Sequence, residues 1–279
     1  MNLLSLKAPA KLNLSLRVLG KRDDGFHEIE TLMVKLPDLA DQLDFIEAAD
    51  FSFHCDDPSL PCDGSNLVVK ALRAYQAATG NSCCYSLYLR KSIPHGAGLG
   101  GGSSDAAAAL LGLNQLQGHP LAEDALVRLA GALGSDIPFF LRSGAALCTG
   151  RGEKIEQIPS PPTMRVMLFK PEFGVATPEA YGRWVKSTEL AGITYSPQQV
   201  AGLSLFNDLE RPVFQKHRFL AELKQWLLAR REIAAALMSG SGSTVFAILK
   251  PDASPATLAQ AAFHELDPHL WTWSGATEA

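Results

Sequence analysis

The sequence predicts an α+β protein of two domains, because strand and helix patterns are mixed in both halves of the chain. Its 279 residues are enough for two domains of ordinary size. A proline-rich stretch at residues 158–162 is the strongest linker candidate. We therefore predict one domain over residues 1–158 and a second over residues 163–279.

The first half begins with a strand pattern and continues with both strands and helices. In residues 8–18, Leu12 and Leu14 share one face while Lys11 and Asn13 share the other, a period of two that is typical of a half-buried strand. After a charged turn at 20–25, the patterns predict strands over 28–36 and 82–91 and helices over 66–78, 103–116 and 121–133. The first of these helices has its apolar residues three and four positions apart.

The second half has the same mixture of elements. Its patterns predict strands over 164–170 and 245–249 and a short strand at the C-terminus. They also predict a helix that begins near residue 178 and two further helices over 213–230 and 255–265. Neither half contains an internal repeat or a low-complexity tract. This favours compact α+β domains over a solenoid.

Composition argues against several classes of protein. A net charge of −4 does not suggest a surface for nucleic acid or for an anionic membrane. Five cysteines, an odd number without a C-x-x-C pair, predict reduced thiols and no zinc site. Residues 1–11 lack the apolar length of a secretory signal, and the apolar stretch 106–113 is too short to span a membrane. We predict a cytoplasmic protein with no nucleic-acid, membrane or obligate protein partner.

A glycine-rich loop between a predicted strand and a predicted helix is the clearest functional signal. Its residues are Pro94, His95, Gly96, Ala97, Gly98, Leu99, Gly100, Gly101, Gly102, Ser103 and Ser104. Glycine lets the backbone take positive φ and approach a ligand, so that successive amides converge on an anion at the start of a helix. The two serines would add hydroxyls there. Phosphate binding is favoured over a flexible linker, because the loop joins two strongly patterned elements.

The loop is neither of two familiar nucleotide-binding motifs. A Walker loop requires a lysine after the glycines, and none follows. Gly96, Gly98 and Gly101 have the spacing of a dinucleotide fingerprint. However, Glu123 and Asp124 open a helix instead of ending a strand, so the acidic ribose partner is missing. The formal match is therefore weak.

Three motifs in order resemble those of the GHMP kinase superfamily. They are residues 9–14 (PAKLNL), the loop 94–104 and residues 238–243 (MSGSGS). Together they are specific, whereas the third alone would equally suit a tight turn between strands. The resemblance implies an ATP-dependent small-molecule kinase. Its N-terminal, ATP-binding domain would have the ribosomal-protein-S5-domain-2-like fold, its C-terminal GHMP kinase domain a ferredoxin-like fold, and the active site would lie between them.

Three stretches are similar to one branch of that superfamily: residues 8–14, 24–31 and 134–140. In this branch the phosphoryl donor is ATP, with Mg²⁺, and the acceptor is a cytidine-diphosphate-linked methylerythritol. The resemblance thus implies phosphorylation of the 2-hydroxyl of that compound in the non-mevalonate pathway to isoprenoid precursors. Phe26 stands where many members have Tyr, which keeps a stacking surface and removes any role of a phenol hydroxyl.

Lys11 and Asp136 are the catalytic residues that the resemblance implies. From the pattern alone, Lys11 suits the solvated face of a strand, and Asp136, just before Ile137 and Pro138, suits a helix N-cap. The resemblance implies instead that Asp136 accepts the hydroxyl proton and that Lys11 stabilises charge on the acceptor oxygen. The backbone of Asp136 can begin a helix while its side chain faces the cleft.

The resemblance also implies which residues bind the two substrates. For the cytidine compound they are Lys11, Asn13, Phe26, His27, Asp136, Thr177 and Tyr181; for ATP they are the loop 94–104, Asn66 and Lys91. Phe26 and Tyr181 would stack on the cytosine, and His27 would hydrogen-bond to it. From the residues alone, His27 suits a surface position and Tyr181 a core position. No acidic pair suggests a cage for Mg²⁺, so phosphate oxygens and water are its expected ligands.

Two alternatives remain open. One is another GHMP kinase, of the homoserine or mevalonate type, against which residues 25–27 and Tyr181 argue. The other is a nucleotide-binding regulator without catalysis, against which the presence of both Lys11 and Asp136 argues. Competition by cytidine nucleotides and an ATP turnover assay would separate these possibilities.

Overall fold

The structure is a computed structural model that describes residues 2–81 and 84–278. Its strands are β1 (Asn2–Lys21), β2 (His27–Glu47), β3 (Ser52–Cys55), β4 (Tyr85–Arg90), β5 (Ala146–Gly150), β6 (Lys154–Gln157), β7 (Arg165–Lys170), β8 (Gln198–Val200), β9 (Leu203–Asn207), β10 (Ile233–Met238), β11 (Val245–Leu249) and β12 (Trp271–Ala276). Its helices are α1 (Leu67–Thr79), α2 (Gly101–Leu116), α3 (Glu123–Leu133), α4 (Ile137–Phe140), α5 (Thr177–Trp184), α6 (Glu210–Lys216), α7 (Arg218–Leu228) and α8 (Pro255–Glu265).

The strands form two sheets. The first has the order β3-β4-β2-β1-β9-β8, with β5 and β6 attached to β2, and the second has the order β10-β11-β7-β12. The long β1–β2 hairpin is the centre of the first sheet. Its register shifts between Pro9 and Ala10 and again between Asn13 and Ser15. Such irregularities bend a strand and re-aim its side chains, and they enclose the predicted site residues Lys11 and Asn13.

The two sheets pack face to face, with helices on the outer face of each. Leu12 and Leu14 of β1 share one core with Val166 and Leu168 of β7, between the sheets. The alternate residues of β7, such as Met167, face α6, α7 and α8 in a second core. A third core lies between the first sheet and the helices α1–α4. The period of two along each strand thus divides its apolar residues between two cores.

The predicted boundary at residues 158–163 lies between β6 and β7, where the chain passes from the first sheet to the second. The hairpin β8–β9 then returns to the first sheet. Ser15 of β1 is the partner of Phe206 in β9, and the two strands are parallel. Residues 198–207 therefore belong to the first sheet although they lie in the second half of the chain.

Several sequence predictions differ from the structure. The helix predicted over 213–230 is wrong as one element, because His217 has φ −116° and ψ 75° and separates α6 from α7. β10 was not predicted because its alanine-rich residues, almost all buried, do not alternate. β2 continues through Pro37 to Glu47, well past the predicted end. Part of the strand predicted over 82–91 lies outside the described residues, and β4 begins at Tyr85.

Two further features follow from the described part of the chain. Cys55, Cys62, Cys84 and Cys148 are free thiols. None of the described helices combines the length and the apolar character needed to cross a bilayer.

Candidate active site

The three sequence motifs meet in space. The amide of Lys11 donates to the carbonyl of Leu99 at 2.9 Å, which joins β1 to the glycine-rich loop. From the other side, the amide of Thr244 donates to Ala97 O at 3.1 Å. The hydroxyl of Ser239 donates to Gly98 O at 3.1 Å. The loop is therefore held between β1 and the turn that follows β10.

Gly98 and Gly100 are required by this close approach. Both have φ of +73°, a left-handed conformation that residues with side chains rarely adopt. A Cβ atom on Gly98 would lie 2.3 Å from the carbonyl oxygen of Ser239. On Gly100 it would lie 2.9 Å from the ring of Phe140. The backbone of the third motif leaves no room for a side chain at Gly98, and the side chains of Phe140 and Lys11 leave none at Gly100.

The helix α2 begins at Gly101, within the glycine-rich loop. Its first intrahelical bond runs from Ser104 N to Gly100 O at 2.9 Å. The amides of Gly101, Gly102 and Ser103 therefore have no helical acceptor and are oriented to bind an anion. The hydroxyl of Ser104 is buried without a hydrogen-bond partner among the described residues. Ser104 lines a cavity beside Pro9 and Phe140, so only its backbone contributes to the helix end at the loop.

Lys11 and Asp136 form an ion pair across the site. Lys11 Nζ lies 3.5 Å from Asp136 Oδ2, and their side chains are 4% and 37% exposed. The carboxylate makes no capping bond although Asp136 immediately precedes α4, so the N-cap interpretation is wrong for its side chain. Lys11 is buried, so the interpretation of a solvated strand face is also wrong here. A partly exposed carboxylate and a buried ammonium thus face one another.

Asn13 orients the ammonium of Lys11. Its Oδ1 accepts a hydrogen bond from Lys11 Nζ, and its Nδ2 donates to Thr31 Oγ1 at 2.7 Å. Thr31 in turn donates to the carbonyl of Ser15 at 2.6 Å. The amide side chain of Asn13 is therefore held by protein groups through both its oxygen and its nitrogen, and it fixes where Lys11 points.

A buried polar group fixes the third motif. Asn207, at the end of β9, donates through Nδ2 to the carbonyls of Met238 and Gly240, each at 2.7 Å. Glu210 accepts from Met238 N at 2.9 Å. Because β9 pairs with β1, this contact also ties the turn to the strand that carries Lys11.

An aromatic cluster brings together several of the predicted substrate-binding residues. The rings of His27 and Tyr181 lie 5.2 Å apart, centroid to centroid, at an interplanar angle of 31°. Burial, and then the charge of Asp136, raise the pKa of the Tyr181 phenol, which stays neutral. Burial, and then Lys21, lower the pKa of His27 below its ordinary value of 6.5, so its imidazole is neutral at pH 7. Phe26 is 51% exposed at the edge of the cluster.

Two members of this cluster were not predicted from the sequence. Arg151 lies over the ring of Phe26, with its Cζ 4.7 Å from the centroid. Trp184 packs edge-on against His27 at 6.3 Å. The glycines on either side of Arg151, Gly150 and Gly152, are a sequence signal that could have indicated this arginine. Trp184 lies one helical turn after Tyr181, on the same face of α5.

Thr177 and Asn66 have structural contacts of their own. Thr177 begins α5, and its hydroxyl lies 2.8 Å from the hydroxyl of Ser241, in the third motif. Asn66 is the N-cap of α1, where its side chain accepts from Val68 N at 2.9 Å and donates to Pro61 O at 2.8 Å. The contact of Thr177 therefore lies where the three motifs meet, whereas the contacts of Asn66 stabilise the N-terminus of α1.

Lys91, which the resemblance places near ATP, contacts two carboxylates. Its ammonium donates to Asp41 and, at 2.7 Å, to Asp105, and its side chain is only 9% exposed. The ammonium is thus occupied by two carboxylates inside the protein. The sequence pattern did not reveal this, because the three residues come from separate elements.

Comparison with known proteins agrees with this geometry. Residues 66–144 match the GHMP kinases N terminal domain, and residues 197–267 match the GHMP kinases C terminal domain. The 4-diphosphocytidyl-2-C-methyl-D-erythritol kinase of Methylacidiphilum infernorum is 40% identical over 90% of this chain and 88% of that protein. The kinase of the same name from Brevibacillus brevis is 39% identical over 90% of this chain and 89% of that protein.

Solved structures resemble the whole chain. A crystal structure of 4-(cytidine 5'-diphospho)-2C-methyl-D-erythritol kinase is similar with a TM-score of 0.78 and 32% identity, over 99% of this chain and 100% of that one. A homoserine kinase from Cytophaga hutchinsonii reaches a TM-score of 0.68 at 17% identity, over 99% of this chain and 94% of that one. The second likeness concerns the fold alone.

Proposed function

Since the chain belongs to the 4-diphosphocytidyl-2-C-methyl-D-erythritol kinase family of GHMP kinases, we propose that Lys11 and Asp136 carry out its phosphoryl transfer. The reaction moves the γ-phosphoryl group of ATP to the 2-hydroxyl of 4-diphosphocytidyl-2-C-methyl-D-erythritol, in the methylerythritol phosphate pathway. The observation that carries the proposal is the Lys11–Asp136 pair, whose lysine side chain packs against Gly100, directly before the free amides of α2.

The loop and the start of α2 bind the triphosphate. Amides of Gly101, Gly102 and Ser103 donate to phosphate oxygens, and the partial positive charge of the helix end offsets part of their charge. Little covalent chemistry is required of the protein in phosphoryl transfer, so positioning and electrostatics supply most of the acceleration.

Asp136 takes the proton of the acceptor hydroxyl. Its carboxylate is the more exposed partner of the pair, so it can reach a bound alcohol, whereas Lys11 is buried and held by Asn13. Lys11 then stabilises the negative charge that develops on the acceptor oxygen. His27 and Tyr181 hold the cytosine, Phe26 adds a stacking face, and Thr177 lies beside the third motif. A neutral imidazole can both donate and accept hydrogen bonds.

Mg²⁺ enters with ATP as part of the co-substrate. Among residues 2–81 and 84–278, no group of three metal-ligating side chains lies together. We expect phosphate oxygens and water to be the main ligands of the ion, with the hydroxyl of Ser103 as a further candidate. When bound with ATP, the ion would neutralise charge on the transferred phosphoryl group. A cytoplasmic location stays a prediction.

The decisive assay measures phosphoryl transfer to the cytidine compound, to homoserine and to mevalonate under identical conditions. We expect turnover with the first and at most trace turnover with the others. Asp136→Asn should lower kcat by at least about 10²-fold, the usual worth of a positioned base, while binding of an ATP analogue is unchanged. Wild-type rates in that variant would remove Asp136 as the base. Turnover of homoserine alone would reassign the substrate.

A further inference from the structure

A buried group of three charged side chains lies beneath the phosphate-binding loop. We call it the acid pair with lysine: Asp41 of β2, Asp105 of α2 and Lys91, just after β4. The side chains of Asp41, Asp105 and Lys91 are 0%, 4% and 9% exposed. Lys91 Nζ donates to both carboxylates, and Asp105 Oδ1 has no hydrogen-bond partner among the described residues. The mechanism above does not use any of them.

The group connects the elements that form the loop. Asp41 Oδ1 accepts hydrogen bonds from Ser92 N at 2.6 Å and Ile93 N at 2.9 Å, the backbone that leads into the loop. A Cβ atom on Gly101 would lie 3.4 Å from Asp41 Oδ2, so the carboxylate packs directly under the first residue of α2. Asp105 lies one turn further along the same helix. The charge of this group therefore lies close to the amides that receive the triphosphate.

Two carboxylates and one ammonium leave one negative charge in excess. Burial of an uncompensated charge is costly, so one carboxylate of such a site retains a proton. Burial raises the pKa of Asp105 to about 8, Lys91 acts in the opposite direction, and Asp41 adds to the rise. Lys91 stays charged, because the two carboxylates outweigh the lowering of its pKa by burial. On the elements packed around Asp105, Asp41 and Lys91 are the charged groups that act on it.

We propose that Asp105 is a positioning residue that holds a proton while nucleotide is bound, so that the acid pair with lysine is neutral beneath the triphosphate. The proposal rests on the proposed function for the site of the nucleotide. Loss of the proton adds a negative charge under the helix end, where it opposes the phosphates. It also leaves two carboxylates in competition for one lysine, which loosens the segment that leads into the loop. Nucleotide affinity therefore falls in alkaline solution.

The first experiment measures binding of a non-hydrolysable ATP analogue by calorimetry between pH 6.5 and pH 9.5, in the wild type and in Asp105→Asn. The amide of this variant has the shape of a protonated carboxyl group but does not titrate between these pH values. We expect the wild-type Kd to rise about tenfold across the alkaline limb, as Coulomb's law gives for one unit charge about 10 Å away in a protein. Asp105→Asn should bind as the wild type does near pH 7 and lose that limb. The same limb in both proteins would overturn the proposal.

A second experiment needs no variant. Carbon-detected NMR of wild-type protein with labelled aspartate follows the side-chain carboxyl of Asp105, assigned through its backbone, as the pH is raised. A proton retained above pH 7 supports the proposal, and titration in the ordinary range near 3.8 overturns it. Both measurements use nucleotide or free protein only. Failure of phosphoryl transfer to the cytidine compound would therefore count against the proposed function and not against this inference.

Discussion

Gly98 is the residue at which the second and third motifs touch, and Gly98→Ala tests whether that contact assembles the site. A Cβ atom there would lie 2.3 Å from the backbone oxygen of Ser239 and 2.9 Å from that of Gly242. Neither atom belongs to a flexible side chain that could rotate away. The loop and the turn after β10 must therefore separate before an alanine can fit.

The cost has two parts. A residue with a side chain pays about 1–2 kcal/mol for the left-handed conformation. Separation of the two segments also weakens the bonds from Ser239 Oγ to Gly98 O and from Thr244 N to Ala97 O, each worth about 1 kcal/mol. The expected loss of unfolding free energy is about 3–4 kcal/mol. At about 2–4 °C per kcal/mol for a chain of this size, Tm should fall by roughly 10 °C.

Thermal unfolding of Gly98→Ala, Gly96→Ala and Gly131→Ala, together with kcat of Gly98→Ala, tests the expected loss of stability. Gly96→Ala has the same left-handed strain, with φ of +64°, but its nearest atom would be 3.4 Å away, so it should lose only about 1–2 kcal/mol. Gly131→Ala lies inside α3 with its nearest atoms at 3.8 Å and should gain up to about 1 kcal/mol. Displaced motifs should lower kcat of Gly98→Ala by about 10²-fold. If Gly98→Ala loses no more stability than Gly96→Ala, contact between the motifs does not matter.

Two other changes test the substrate end and the C-terminal core. Because the pKa of His27 is lowered, its imidazole gains a proton only below its ordinary pKa of 6.5. The KM of the wild type for the cytidine compound should therefore rise as the pH falls through that range, whereas His27→Gln should have a higher KM that does not rise further in acid. The same rise in both proteins would exclude His27 as its cause. Lys224 donates a hydrogen bond at 2.6 Å to Glu210, and burial raises the pKa of Glu210. Lys224→Met should lower the free energy of unfolding in urea by about 3–5 kcal/mol, and adding Glu210→Gln should recover part of that loss. A loss below about 1 kcal/mol, the worth of an exposed pair, would contradict the second expectation.

Local chemistry explains what could be predicted from the sequence. The loop 94–104 is recognisable because positive φ and close backbone approach require glycine at particular places, whatever the rest of the chain does. β11 and α8 have the bounds that their periodicity predicted, since a regular element of clear pattern needs little tertiary information. The order of the three motifs along the chain is sufficient to indicate the superfamily.

Periodicity alone was a poor guide to exposure. Lys11 and Asn13 occupy what reads as the solvated face of β1, yet both are 3% exposed because the loop and the turn after β10 cover that face. Lys91 follows a predicted strand without any sequence signal for buried partners, yet Asp41 and Asp105 enclose it. In each case the partner comes from an element distant in sequence, and a pattern within one strand carries no information about it.

The components of the site can be read from the sequence: a glycine-rich anion loop, a lysine on the first strand and an aspartate before a short helix. Which of these components meet depends on the packing of the chain. It placed Asp136 beside Lys11 and put Arg151 over Phe26. It also returned residues 198–207 to the first sheet, so that Asn207 holds the third motif. Propensity and spacing act over a few residues, whereas burial and ion pairing depend on how the two sheets pack against each other.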